Sequence, residues 1–291
     1  MKGFILNFLM CVLAVSLSAQ EYVDLGLPSG VLWKSKNERF CTAPQAEEMY
    51  GESLPTMDLY RELLTFCKWE EAEEGYWVTG PNNTSIFFPI VGIINKEGEC
   101  VEKDTKSAYW TSHHAQIGHG SVEALTLEHG KYPTPFYYFG ANYSFCVRLI
   151  RLPQPSTNYV DLGLPSGTKW CDRNEYPIFY AYDDAMQEFG NRLPTKEQWE
   201  ELEKKCQWTW TDKGYRVTGP NGNSIFLPAV GIRNGCGMYA EIGYKAVYLS
   251  STPYTYSNPG EYVITTDITQ YEHRIIGYPR TAVHCVRLVS R

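Results

Sequence analysis

Three blocks of this chain occur twice, in the same order. They are YVDLGLPSG at 22–30 and 159–167, VTGPNNTSIFFPIVG at 78–92 with VTGPNGNSIFLPAVG at 217–231, and CVRL at 146–149 and 285–288. The offset is 137 residues for the first block and 139 for the other two. A unit of this length can bury its own hydrophobic core, unlike the ~20–50 residue units of solenoids. The sequence therefore predicts two copies of one domain.

The N-terminal segment predicts export. Lys2 precedes an apolar run at 4–17 and the small residues Ser18 and Ala19, which is the pattern of a secretory signal peptide. The run is shorter than the ~20 residues that span a bilayer. We expect a signal peptide at 1–19, domains at 20–150 and 159–291, and a semi-rigid linker with two prolines at 151–158. The expected location is the periplasm, the cell surface or the medium.

Composition excludes one class of partner. Without residues 1–19 the chain has 33 acidic and 25 basic residues, and no basic run is present. Binding to a polyanion depends on clustered Lys and Arg, so nucleic acid is not expected as a partner. The 22 tyrosines and the low charged fraction of 20% indicate a folded, aromatic-rich protein.

Eight cysteines lie outside the predicted signal peptide, four in each copy, and an even number in an exported chain favours disulfide bonds. Two positions keep the 139-residue offset: Cys67 with Cys206, and Cys146 with Cys285. These four are expected to be structural residues, and the spacing leaves their connectivity open. The alternative for Cys67 and Cys206 is a buried free thiol, which packs like a small hydrophobic residue.

A helix start is recognisable in each copy. In the second copy Thr195 stands three residues before Gln198, the spacing of a capping box. Core-type residues follow at i, i+3 and i+7 in both copies: Trp199, Leu202 and Cys206 in the second, and Tyr60, Leu63 and Cys67 in the first. Shorter helices are predicted at 44–50 and 183–189.

Strand patterns fill the rest of each copy. Hairpins are predicted around GPNN and GPNG, since Pro and Asn form turns: 76–79 with 85–90, and 215–218 with 224–227. Further strands are predicted at 108–112, 122–127, 145–150, 247–251, 262–266 and 284–289. Each copy is therefore expected to be α+β, with two short helices and a mixed, largely antiparallel sheet.

The blocks, taken in order, resemble a known family. They are YVDLGLPSG followed by Trp33 or Trp170, RLPT at 192–195, the VTGPNGNSIFLPAVG hairpin, YWTS at 109–112 with its altered copy YLSS, and CVRL. Together they resemble FISUMP-type (major paralogous) domains of exported bacterial proteins, which share the formylglycine-generating-enzyme and C-type lectin-like fold. The resemblance covers nearly all of both copies. It implies two tandem C-type lectin-like domains in which Trp33 and Trp170 are structural.

Two signatures found among proteins of that fold are missing. Calcium-dependent lectins carry Glu-Pro-Asn or Gln-Pro-Asp and a Trp-Asn-Asp, whose oxygens ligate the ion, and none of these occurs here. Formylglycine-generating enzymes need reactive cysteines that bind copper. The shared cysteines of this chain are instead expected on a helix core face and in a terminal strand, which suits structure better than chemistry.

Catalytic and metal-binding patterns are weak. His113, His114 and His119, with His129 nearby, raise a transition-metal site as one interpretation. Their spacing matches no standard zinc motif, and the second copy has no histidines in place of His113 and His114, so a solvated loop is favoured. No GxSxG, HExxH, Walker or dinucleotide motif is present. We therefore assign no catalytic residue, metal ligand or cofactor.

Asp24 and Asp161 recur in the identical opening block, which raises a catalytic interpretation. Each precedes Leu-Gly-Leu-Pro-Ser-Gly. An Asp in that position commonly bonds the amides of the following turn. A structural role is therefore expected for both.

Aromatic residues crowd the segments in which the two copies differ. Exposed aromatic rings stack on sugars or anchor protein interfaces, whereas buried rings fill the core of a small domain. The candidate binding residues are Trp110, Tyr137, Tyr138, Tyr248, Tyr254 and Tyr256. They favour a non-enzymatic recognition protein that binds a glycan or a surface protein. The alternatives are a formylglycine-generating-type oxidase and a structural subunit of a surface appendage.

Overall fold

The computed structural model describes residues 21–112, 121–140, 142–233, 239–255, 258 and 260–290. The predicted signal peptide at 1–19 lies outside them. Over the described residues the chain is α+β, with four α-helices of eight or ten residues and strands paired antiparallel. Parallel contacts between strands are confined to isolated bridges such as Tyr109 with Cys146. The predicted fold class is confirmed at this level.

The first half, residues 21–151, contains helices α1 (Ala43–Tyr50) and α2 (Met57–Phe66), with a 3₁₀ turn at Gly51–Ser53 between them. Its strands are β1 (Tyr22–Asp24), β2 (Leu32–Lys34), β3 (Cys41–Thr42), β4 (Lys68–Ala72), β5 (Gly75–Thr79), β6 (Ser85–Pro89), β7 (Ile93–Ile94), β8 (Cys100–Val101), β9 (Lys106–Trp110), β10 (Ser121–Glu128), β11 (Thr134–Gly140), β12 (Ser144–Phe145) and β13 (Ile150–Arg151). They form four sheets in the orders β1-β2-β13, β3-β12-β7-β8, β4-β5-β6 and β11-β10-β9.

The second half, residues 159–290, contains α3 (Tyr182–Phe189) and α4 (Lys196–Lys205), with a 3₁₀ turn at Gly190–Arg192. Its strands are β14 (Tyr159–Asp161), β15 (Lys169–Cys171), β16 (Tyr180–Ala181), β17 (Gln207–Trp210), β18 (Gly214–Thr218), β19 (Ser224–Pro228), β20 (Ile232–Arg233), β21 (Tyr239–Ala240), β22 (Lys245–Pro253), β23 (Tyr262–Thr269), β24 (His273–Pro279), β25 (Val283–His284) and β26 (Val289–Ser290). The sheets repeat the first half strand for strand: β14-β15-β26, β16-β25-β20-β21, β17-β18-β19 and β22-β23-β24.

The helix starts follow the capping chemistry in the sequence. Thr195 Oγ1 accepts a hydrogen bond from Gln198 N at 3.3 Å, and Gln198 Oε1 accepts one from Thr195 N at 2.8 Å, which completes the predicted capping box. Thr56 caps α2 through Leu59 N in the same way. The four helices and the two GPN hairpins are therefore confirmed, with end positions shifted by at most a residue or two.

The predicted closing strands at 145–150 and 284–289 are wrong as continuous strands. In each half the chain pairs as β12 or β25, forms only an isolated parallel bridge at the cysteine of CVRL, and pairs again in a different sheet as β13 or β26. The carbonyls of Val147 and Leu149 accept bonds from Glu38 N and Lys34 N, two residues of the opening segment. CVRL is thus the crossing point between two sheets, which a hydrophobic strand pattern does not reveal.

Each half has its own apolar core around a buried tryptophan. Trp33 is fully buried, with the Tyr60 ring centroid 5.4 Å away and Phe88 beyond it. Trp170 is equally buried and lies 4.6 Å from Trp199. Both tryptophans therefore sit where the opening strands, the capped helix and the GPN hairpin meet.

Candidate functional site

Trp110 and Tyr248 are core residues, so their prediction as binding residues is wrong. Both side chains are fully buried. Trp110 Nε1 donates to the Cys41 carbonyl at 2.7 Å, and the Tyr248 hydroxyl donates to the Pro228 carbonyl at 2.8 Å. The strands that carry them are covered on both faces, because residues from 107 to 110 in β9 and from 246 to 250 in β22 are all buried. The block YWTS at 109–112 and its altered copy YLSS at 248–251 therefore recur because their side chains pack on both faces of a buried strand.

The structure describes the other four candidate aromatics to different extents. Tyr137 and Tyr138 belong to β11, but their side chains are outside the described set, and Tyr256 lies outside the described residues altogether. Tyr254 is described, is partly exposed and lines a surface groove of the second half. Of the six predicted binding aromatics, Tyr254 is thus the one that the structure places at an open surface.

The second-half groove has a volume of about 290 Å³. It lies between the start of α3, the end of β22, the start of β23 and the turn after β24. The side chains that matter for binding are Tyr182, Asp183, Met186, Tyr254, Tyr262 and Arg280. A groove with aromatic walls and a few polar groups is the usual form of a small-ligand site.

Tyr254 and Tyr262 form the aromatic wall. Their ring centroids are 5.5 Å apart with the planes tilted by 37°. The Tyr254 ring lies against the backbone of Gly277 in β24, where an added Cβ would be 2.4 Å from Cε2 of the ring. Glycine at 277 therefore makes room for the tyrosine. Strand pairing places Tyr137 at the corresponding position of β11, so the glycine that makes this room in the second half is not repeated in the first.

A charged cluster forms the opposite rim. Arg280 makes a two-pronged ion pair with Asp183, with Nε 3.2 Å from Oδ2, and the pair raises the pKa of Arg280. The guanidinium carbon lies 4.8 Å from the centre of the Tyr182 ring, a cation–π distance. Burial raises the pKa of Tyr182. The rim therefore presents fixed donors and acceptors beside aromatic faces.

The residues of the charged rim are not repeated at the aligned positions of the first half. With the 139-residue offset, Ala43 and Pro44 stand where the second half has Tyr182 and Asp183. Neither residue can supply an aromatic ring or a carboxylate. The aromatic wall and the charged rim are thus features in which the second half differs from its copy.

The opening block serves structure. Asp24 Oδ1 accepts from Gly26 N at 2.8 Å, and Asp161 Oδ1 accepts from Gly163 N at the same distance. The carbonyl of Asp24 accepts from Asn82 Nδ2 of the GPN turn, and Asn221 repeats this contact with Asp161. Both aspartates use their oxygens to fix a turn, as expected of an Asp in that position.

A buried arginine in each CVRL block is the feature that sequence reasoning missed. Arg148 and Arg287 are fully buried. Arg287 donates to the carbonyls of Cys171 and Phe226 and to Asn174 Oδ1, at 2.7–3.0 Å. Arg148 donates likewise to the carbonyls of Lys34 and Phe87. The sequence does carry a signal for it: an arginine recurs at the same place inside an otherwise apolar tetrapeptide. A charge in such a setting needs hydrogen-bond partners, because burial without them is costly.

The disulfides favoured by the even cysteine count are absent among the described cysteines, all of which are free thiols. The shared positions lie in separate halves: Cys67 and Cys206 each follow a helix, and Cys146 and Cys285 each pack in the core of their own half. Cys67 is buried and Cys206 is partly exposed. Burial raises the pKa of Cys67, Cys146 and Cys285 to about 12, so their thiolate forms are scarce.

Alkylation of the native protein with iodoacetamide at pH 8 tests this arrangement. Cys100 is exposed and is expected to react first. Cys67, Cys146 and Cys285 are expected to react at least about 100-fold more slowly, because each is buried and the thiolate is the reacting form. Peptide mass spectrometry reads the sites, and urea-unfolded protein is the control in which all react. Labelling in urea that requires a prior reductant would contradict free thiols.

The predicted histidine cluster lies largely outside the described residues. Of the predicted histidine cluster, His113, His114 and His119 lie outside the described residues, and His129 contacts Glu71 through Nδ1 at 2.7 Å. Within the described ranges, no group of three or more His, Cys, Asp or Glu side chains is arranged to hold a metal ion. Nor does any described helix have the length and apolarity to cross a bilayer.

A larger cleft of about 580 Å³ lies beside the linker. Its acidic groups are already engaged: Asp24 holds the turn described above, and Asp172 accepts from Ser156 Oγ and Asn158 Nδ2. These contacts order the linker. The second-half groove, with its aromatic wall and charged rim, is the better candidate for a ligand site.

Comparison of the chain with protein-family models, with curated proteins and with solved structures finds no match in any of the three.

Proposed function

We propose that this chain is an exported, non-enzymatic recognition protein made of two C-type lectin-like domains, and that the second-half groove binds a glycan. The observation that carries the proposal is the convergence of Tyr254, Tyr262 and the Arg280–Asp183 pair on one open groove. Aromatic faces stack on the apolar faces of sugar rings, and the charged pair supplies hydrogen bonds to hydroxyls.

Two further observations support a binding role. The groove is close to the lower end of the ~300–1,000 Å³ range of small-ligand sites, which fits a short segment of a glycan. The buried cysteines have raised pKa values, which makes them poor nucleophiles and poor metal ligands.

A glycan array probed with the mature chain and matched variants tests the proposal. Tyr254→Ala and Arg280→Ala are expected to weaken binding at least tenfold, which corresponds to about 1.4 kcal/mol. The control is Tyr271→Ala, because Tyr271 is 89% exposed and does not line the groove. Binding by the control at wild-type strength is expected. Absence of any bound glycan, or equal losses in Tyr254→Ala and Tyr271→Ala, would contradict a glycan site here.

A further inference from the structure

The two halves meet at the C-terminal end of α2. Phe66 packs against the apolar cores of both halves, and Tyr176 of the second half packs against the core of the first. Lys213 Nζ donates to the Thr65 carbonyl. A small space at this contact is lined by Asp58, Arg61, Glu62, Phe66, Ile178, Phe179, Val230 and Ile242. We call this contact the junction.

The residues that form the junction are not repeated at the aligned positions of the other half. With the 139-residue offset, Lys205 replaces Phe66 and Arg39 replaces Ile178. The aligned positions therefore carry charged side chains, which cannot make the apolar contact of the junction. The two copies have diverged so that this one contact joins them.

A buried carboxyl group lies in the junction. Glu62 Oε1 accepts from Ser29 N at 2.7 Å and Oε2 accepts from Ser29 Oγ at 2.6 Å. The second half repeats the arrangement with Glu201, which accepts from the amide and hydroxyl of Ser166. Glu62 is only 3% exposed, whereas Glu201 is partly exposed. The two glutamates thus differ in the cover that the other half provides.

The groups that face Glu62 do not neutralise it. On α2, Asp58 lies one turn before it and pairs with Arg61 at 3.1 Å, and Cys67 follows the helix. From the second half come Tyr176 and Lys213, with Lys213 bonded to the Thr65 carbonyl. Burial raises the pKa of Glu62 to about 7, Asp58 adds to the rise, and the Ser29 bonds oppose it. Burial, Asp58 and Glu62 also raise the pKa of Tyr176.

We propose that Glu62 makes the junction pH-sensitive: the halves dock while its carboxyl group is neutral and separate more readily once it is ionised. Docking removes water from the carboxyl group, and the cation that the second half brings, Lys213, bonds the Thr65 carbonyl and not Glu62, so the neutral form is favoured in the docked state. Separation of the halves would expose Glu62 to water to about the extent that Glu201 is exposed in the structure. Acidic conditions therefore close the junction, and alkaline conditions open it.

The size of the effect follows from linkage. With a pKa of about 7 in the docked state and an ordinary value of 4.5 once exposed, the opening constant is expected to rise roughly 100-fold between pH 5 and pH 9. The direction is fixed by the sign of the shift: a carboxyl group with a raised pKa loses its stabilising neutral form as the pH increases.

Hydrogen exchange of residues 173–179 tests this inference, because this segment has little regular secondary structure and faces the first half at the junction. In the wild-type chain, exchange corrected for intrinsic rates is expected to accelerate roughly 100-fold from pH 5 to pH 9. Glu62→Gln should remove the pH dependence. Glu201→Gln is the matched control and should behave like the wild type.

A second variant keeps the test decisive if Glu62→Gln folds poorly. Ser29→Ala removes the hydroxyl bond to Glu62 Oε2 and keeps the bond from the backbone amide to Oε1. Because the lost bond favours the ionised carboxylate, the pKa of Glu62 in the docked state should rise, and the pH at which the acceleration of exchange levels off should move upward. Exchange that is independent of pH in the wild type, or a pH dependence that Glu62→Gln retains, would overturn the inference.

Discussion

Replacing Glu62 with Gln is expected to raise the free energy of unfolding by about 3 kcal/mol at pH 8 and to change it little at pH 4. Glutamine is neutral at every pH and has nearly the same shape: its oxygen can accept the bond from the Ser29 amide, and its NH2 group can donate to the Ser29 hydroxyl oxygen. The gain is the energy that the wild-type protein loses when a buried carboxyl group must ionise. Urea denaturation at both pH values measures it.

The sign of this prediction can be checked step by step. Below pH 4.5 Glu62 is protonated in the folded and unfolded chains, so it contributes no pH dependence. Between pH 4.5 and about 7 the unfolded chain loses the proton while the folded chain keeps it, and stability falls as the pH rises. Glu201→Gln serves as the control for a partly exposed glutamate with the same partners. Equal effects of Glu62→Gln at pH 4 and pH 8 would contradict the account.

Replacing Trp170 with Ala is expected to lower the free energy of unfolding by about 4 kcal/mol, since it opens a cavity at the centre of the second core. Trp170→Phe should cost less, because the indole nitrogen has no hydrogen-bond partner to lose. Thermal or urea unfolding of the full chain checks both.

Trp77→Ala is the surface control for this comparison. Trp77 is 48% exposed and contacts Phe87 at the sheet surface, so its loss is expected to cost about 1 kcal/mol or less. A small effect of Trp170→Ala, comparable with that of Trp77→Ala, would mean that the second half is not built around this tryptophan.

Elements with strong local signals could be predicted from the sequence. The capping box of Thr195 and Gln198 and the turn residues of the GPN hairpins act over a few residues, so the pattern alone locates them. The sequence pattern does not predict strand β4, because its sequence, KWEEA, is mostly polar and the strand lies at the edge of its sheet. Strand β24 was missed because His273 and Gly277 interrupt its apolar pattern.

The candidate site was harder to predict, because exposure depends on contacts between distant segments. Tyr248 and Tyr254 lie six residues apart in aromatic-rich sequence, yet one is fully buried and the other lines a groove. The partners that decide this come from elsewhere: Gly277 makes room for Tyr254, and Arg280 reaches Asp183 over 97 residues of chain. Tyr182 stands just before the helix predicted at 183–189 and is the first residue of α3, and no local sequence pattern marks it as a groove residue, for the same reason.

The most direct test of the central claim is an NMR titration of residues 20–291, with ring-labelled tyrosines, against glycans representative of bacterial and host surfaces. We predict that at least one glycan shifts the signals of Tyr254, Tyr262 and Tyr182 in a saturable manner and leaves those of Tyr132 and Tyr271, which are exposed elsewhere, unchanged. Shifts confined to tyrosines outside the groove, or no saturable shift with any glycan, would contradict the proposed site.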